Sequence, residues 1–92
     1  MGKYRKKPVV IEAWQVVGVL NSAEKDWKSL PPCISEAYER GEVLFLPDMV
    51  QIKTLEGWMD GRKDADAWII KGVKGELYPC KGDIFEATYE TA

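Results

Sequence analysis

Residues Trp68 to Glu90, WIIKGVKGELYPCKGDIFEATYE, decide how this chain is read. Trp68-Ile69-Ile70 is a short apolar run rich in β-branched residues, and Gly72 and Gly75 bracket a turn. Glu76 to Cys80 then reads as the returning strand of a hairpin. Lys81-Gly82 breaks the pattern, and Phe85 to Tyr89 is expected to add a last strand.

Working outward, the segment before this hairpin, residues 56–67 (EGWMDGRKDADA), holds two glycines and dense charge and reads as an exposed loop. Val43 to Leu46 and Val50 to Leu55 read as strands separated by Pro47-Asp48. Pro32 suits the first turn of a helix and Gly41 its left-handed C′ position, so a helix is expected between them with Cys33, Ile34, Ala37 and Tyr38 on adjacent faces. Asn21 with Glu24 three residues on matches a capping box, predicting a short helix over 23–30 with Trp27 and Leu30 facing inward. Val9 to Val17 (VVIEAWQVV) reads as the first strand, leaving at Gly18. The expected class is α+β: a mostly antiparallel curled sheet or small partial barrel, with one or two short helices inserted after the first strand.

The chain has 92 residues, enough for one domain. Size scaling gives roughly 5,400 Å² of folded surface against about 15,100 Å² for the extended chain. About 64% is then buried, an upper bound because unfolded chains are more compact, so the core is thin.

Thirteen basic and 15 acidic residues give a net charge of −2, which argues against a protein that coats nucleic acid. Lys3, Arg5, Lys6 and Lys7 nevertheless make the N-terminus locally cationic. No apolar stretch is long enough to span a bilayer. No signal peptide is read, so a cytoplasmic location and free thiols at Cys33 and Cys80 are expected.

Histidine is absent. That removes Ser-His and Cys-His pairs and imidazole zinc sites, so no catalytic constellation, cofactor or metal is expected. Asp60, Asp64 and Asp66 loosely echo a calcium loop, but Lys71 stands where the bidentate Glu belongs, and solvated loop charges explain them better. Gly72-Val73-Lys74-Gly75 lacks the Walker pattern and is explained by a turn. Cys80 lies between Lys74 and Lys81, which could activate a thiol; a small buried hydrophobe is the simpler reading.

Binding residues are sought instead among aromatics and cations. Trp58-Met59, two large apolar side chains in a charged loop, either anchor a partner or fold back as a lid. Lys71, Lys74, Tyr78 and Lys81 could surround a small-molecule or nucleotide pocket on the sheet, and Arg5 and Lys7 offer a cationic arm. Stacking of single-stranded nucleic acid on the aromatics is a weaker reading, given the acidic total.

Three stretches, KYRKKPVVIEAWQ near the N-terminus, IKTLEG (52–57) and WIIKGVKGELYPCKGDIFEATYE, together resemble a family of small uncharacterised bacteriophage and prophage proteins. That family usually shows Gly-Asp before its aromatic-Ile-Ile strand, where this chain has Asp66-Ala67, and often Pro where Gly82 stands. The resemblance implies a phage-derived protein in a bacterial cytoplasm and supplies no catalytic residues. By analogy with accessory proteins of this size, the expected role is binding a host or phage protein, without catalysis. A thin core and sheet edges also favour a homodimer.

Overall fold

A computed structural model describes residues 2–4 and 9–91; Arg5 and Lys7 lie outside the described residues. Its strands and helices run in the order β1 (Glu12–Gln15), α1 (Val16–Lys25), α2 (Pro32–Glu39), β2 (Val43–Phe45), β3 (Met49–Thr54), β4 (Gly57–Arg62), β5 (Trp68–Lys71), β6 (Leu77–Cys80) and α3 (Gly82–Thr88). The class is α+β, with six strands in two antiparallel three-stranded sheets, β1-β5-β6 and β2-β3-β4. Neither sheet closes into a barrel, so the single curled sheet expected from sequence is replaced by two.

Three elements differ from the sequence expectation. The first strand ends at Gln15, and Val16 to Lys25 is helical. Val16, Val19 and Leu20, at i, i+3 and i+4, are buried together, so the helical period outweighs the β preference of the valines. Asn21 consequently sits inside α1 instead of capping a later helix, and Trp27–Ser29 is only a 3-10 turn. Trp27 is 43% exposed, whereas Leu30 does face inward.

The 56–67 segment is the second. Gly57–Arg62 pairs along the whole of β3, from Met49 opposite Arg62 to Thr54 opposite Gly57. Only Gly61 of β4 is buried, so no apolar alternation marks this strand. Gly61 allows the sheets to approach: a Cβ there would meet Val16 Cγ2 at 3.1 Å and the Pro79 Cβ at 3.2 Å. The third is the C-terminal end, which is helical where a strand was expected.

The α2 helix and strands β2, β3, β5 and β6 form where the sequence places them. The C-terminus of α2 is a Schellman motif, with the Gly41 N–H donating to the Tyr38 carbonyl at 3.0 Å and the Glu42 N–H to the Ala37 carbonyl at 2.9 Å. Gly41 takes φ +77°, which suits a residue without Cβ. Pro79 sits in β6, at the edge of its sheet, where a missing N–H is tolerated.

The core lies between the two sheets and the first two helices. Val43, Val50 and Ile52 from one sheet meet Ile69 from the other, with Val16 and Val19 of α1 and Ile34 and Ala37 of α2 completing it. Alternation sends Ile70 to the opposite face of β5, the face on which Phe85 of α3 stacks on Trp68 at 4.2 Å between ring centroids. The middle strand β5 is thus covered on both sides.

Candidate interaction cleft

Register fixes where the side chains of the β3–β4 hairpin point. Ile52 lies opposite Met59 and Lys53 opposite Trp58. Cross-strand partners share a face, so Met59 joins the buried Ile52 on the inner face, and Trp58 stands with Lys53 on the outer face. The hairpin tip is held by Thr54, whose Oγ1 donates to the Gly57 carbonyl at 2.7 Å and accepts from the Glu56 N–H at 3.1 Å. Gly57 takes φ +105°, and the turn leaves Leu55 fully in solvent.

Beneath this tip opens a cleft of about 580 Å³ between α2, the β3–β4 hairpin and the β5–β6 turn. Its floor is apolar: Ala37, Val43, Ile52, Met59 and Leu77. Arg40, Glu42, Lys53, Glu56 and Glu76 give the lining charge of both signs. Arg40 Nε donates to Glu42 Oε1 at 2.7 Å, so those two charges hold each other at the mouth. The one hydroxyl from a serine or threonine on the lining, Thr54, is used by the hairpin turn.

The sequence-predicted residues do not all converge here. Met59 lines the cleft, and Tyr78 borders it, but Tyr78 pairs with Ile70 and its ring belongs to the α3 side of its sheet. There, burial and the neighbouring phenol of Tyr89 push Tyr78 up to about 12. Lys71 lies across from Glu12, 3.8 Å from its Oε1. Lys74 is exposed in the turn, whereas Lys81 follows the far end of β6, roughly 13 Å of strand away for four residues. These three lysines therefore face different surroundings.

The loop acids are likewise dispersed. Asp60 accepts from Gln51 Nε2 at 3.1 Å, Asp64 binds Arg62 at 3.0 Å, and Asp66 ends the 3-10 turn at φ +50°. The hydrogen bond from Arg62 is the main cause that holds Asp64 below the usual carboxylate range. Among the described residues no group of three Cys, Asp or Glu is placed to hold a metal ion. Both thiols are half-buried: burial pushes Cys33 up, partly countered by Lys71, and burial with Asp83 pushes Cys80 up. The Cys80 thiol donates weakly to the Lys81 carbonyl at 3.5 Å.

A feature missed in the sequence is the cluster of Trp27, Tyr38 and Phe45, with centroids 5.2 to 5.8 Å apart. Trp27 and Tyr38 remain more than 40% exposed, so the cluster is a surface feature. Only the unusual aromatic content of the 27–45 stretch could have signalled it. Among the described residues no helix is long and apolar enough to cross a membrane. Comparison with known proteins gave no matching family model, no matching curated protein and no matching solved structure.

Proposed function

We propose that this is a phage- or prophage-derived accessory protein that acts in the bacterial cytoplasm by binding a host or phage protein, without catalysis. One observation carries the reading. The cleft offers an apolar floor with the half-exposed Met59 on it and the fully exposed Leu55 at its mouth. Exposed apolar side chains beside an apolar-floored hollow are the arrangement in which interface anchors concentrate. The charged rim would fix orientation more than affinity.

The test compares lysate capture by the wild-type protein with capture by Leu55→Glu, at a fully exposed position, and by Met59→Glu, each used only with an unchanged far-UV circular dichroism spectrum. A specific protein retained by wild type and lost from both variants is the expected result. Identical capture by all three proteins, or none by any, contradicts the reading.

A small-molecule ligand is the second reading, favoured by the cleft volume, which falls within the roughly 300–1,000 Å³ of typical ligand sites. A ligand at 100 times its dissociation constant adds about 2.7 kcal/mol to stability. A nucleotide and metabolite panel read by thermal shift would reveal it, and a flat response across the panel counts against it.

A further inference from the structure

The strand β1 ends its sheet, and the hydrogen-bond phase shows which of its groups face outward. The Val16 N–H donates to the Ala67 carbonyl at 2.9 Å, directly continuing the β1–β5 register in which Trp14 lies opposite Ile69. In an antiparallel pair, inward and outward groups alternate by residue. Glu12, Trp14 and Val16 therefore bond to β5, while Ala13 and Gln15 direct N–H and C=O away from it. The Gln15 carbonyl is taken up by the first turn of α1, and among the described residues no hydrogen bond between elements satisfies the Ala13 groups or the Gln15 N–H. From Val9 to Gln15 the one charge is Glu12, and the edge-protecting residue types Lys7 and Pro8 stand only at its N-terminal end.

The same edge is apolar to one side. Ala13 lies opposite Ile70, on the α3 face of the sheet. Between residues 9–13 and α3 runs a hollow of about 430 Å³ walled by Trp68, Phe85 and Tyr89. Val9 and Val10 beside it are 50% and 79% exposed.

We propose that a second copy of this chain adds to the free edge of β1, antiparallel, with Ile11 on the two-fold axis. An isologous pair needs an edge complementary to itself; charge excludes one register, and the exposed Val9 and Val10 favour a register that covers them. An axis at Glu12 would set Glu12 against the second copy's Glu12, a destabilising like-charge pair. An axis at Ile11 sets Glu12 against Val10, and Val9 against Ala13. It also brings outward-directed residues face to face, as a ladder requires. The apolar positions 9, 11 and 13 of both strands then line one continuous face beside Trp68 and Phe85. Two three-stranded sheets become one of six strands. The cleft shares no residue with this edge, so the proposal stands or falls separately from the proposed function.

Sedimentation velocity from micromolar to millimolar protein tests it with two variants. Ala13→Pro removes an outward N–H without touching the β5 ladder, and Ile11→Lys places two ammonium groups at the axis. The expected result is a mass rising from one chain to two for wild type. Each variant that keeps its far-UV circular dichroism should stay at one chain, and Ile11→Lys decides alone if Ala13→Pro does not fold. Amide exchange in the 9–15 stretch should slow with concentration in wild type only. A wild-type mass of one chain throughout overturns the proposal, as does a dimer that persists in a folded variant.

Discussion

Substituting Gly82 by Ala should be among the most damaging single-methyl changes in the chain. Gly82 is buried at the start of α3, and its Cα faces the Ala65–Asp66 turn. An added Cβ would lie 2.5 Å from the Asp66 carbonyl oxygen, 2.8 Å from the Asp66 Cβ and 3.2 Å from the Ala65 carbonyl oxygen. Carbon contacts settle near 3.5 to 4.0 Å, so one backbone must retreat from the other by about 1 Å. No flexible side-chain tip is available to yield. Overpacking costs roughly 1–3 kcal/mol, and a main-chain obstacle puts this case at about 2–3 kcal/mol. For a domain of this size that corresponds to a fall in Tm of about 10–20 °C. Urea denaturation followed by Trp fluorescence measures it, since Trp68 stacks on Phe85 in the same helix. Asp66→Gly in the Gly82→Ala background removes the Cβ contact and the left-handed strain but leaves the carbonyl clash, so it should restore only part of the loss. A loss under about 0.5 kcal/mol for Gly82→Ala would refute the close approach of α3 to this turn.

Other expectations follow from the same geometry. Gly18 lies on the exposed side of α1 with nothing within 4 Å of an added Cβ, so Gly18→Ala should stabilise by about 0.5–1 kcal/mol in the same urea assay; a loss of stability would contradict the open space at this position. Tyr78 loses its proton at about 12 when folded against 10.0 in the reference state, so its contribution is intact below pH 10 and is lost as pH rises from 10 towards 12. Wild type should therefore lose more stability than Tyr78→Phe between pH 9.5 and 11.5, values chosen to span about that window. Cys33 and Cys80 should react with a disulfide reagent at neutral pH more slowly than a free thiol, because burial raises both, and unfolding should abolish the difference.

What could be read from the sequence followed the places where local chemistry and tertiary packing agree. The α2 helix was legible because Pro32 and Gly41 carry their own backbone requirements, and β5 because Trp68-Ile69-Ile70 is buried on two faces. The α1 helix was not, because Val16, Val17 and Val19 prefer strands and only their burial against the sheets selects the helix. Strand β4 was invisible for the opposite reason: its side chains are polar or exposed, and backbone pairing with β3 alone makes it a strand. The candidate cleft was half legible. Met59 and Tyr78 were singled out from sequence, but the separation of Trp58 from Met59 depends on the β3–β4 register, and the floor residues Ala37, Val43 and Ile52 looked like ordinary core. The two positions noted as unusual in sequence, Asp66 and Gly82, turn out to touch: a Cβ at one is accommodated by its absence at the other.

The most direct test of the cleft as a protein-binding site is photocrosslinking from Leu55, whose side chain is fully exposed and tolerates replacement by a photoreactive residue. In bacterial cells one dominant protein adduct is expected, and it should disappear when Met59→Glu is introduced beneath it. Absence of any discrete adduct, or an adduct unchanged by Met59→Glu, would contradict it.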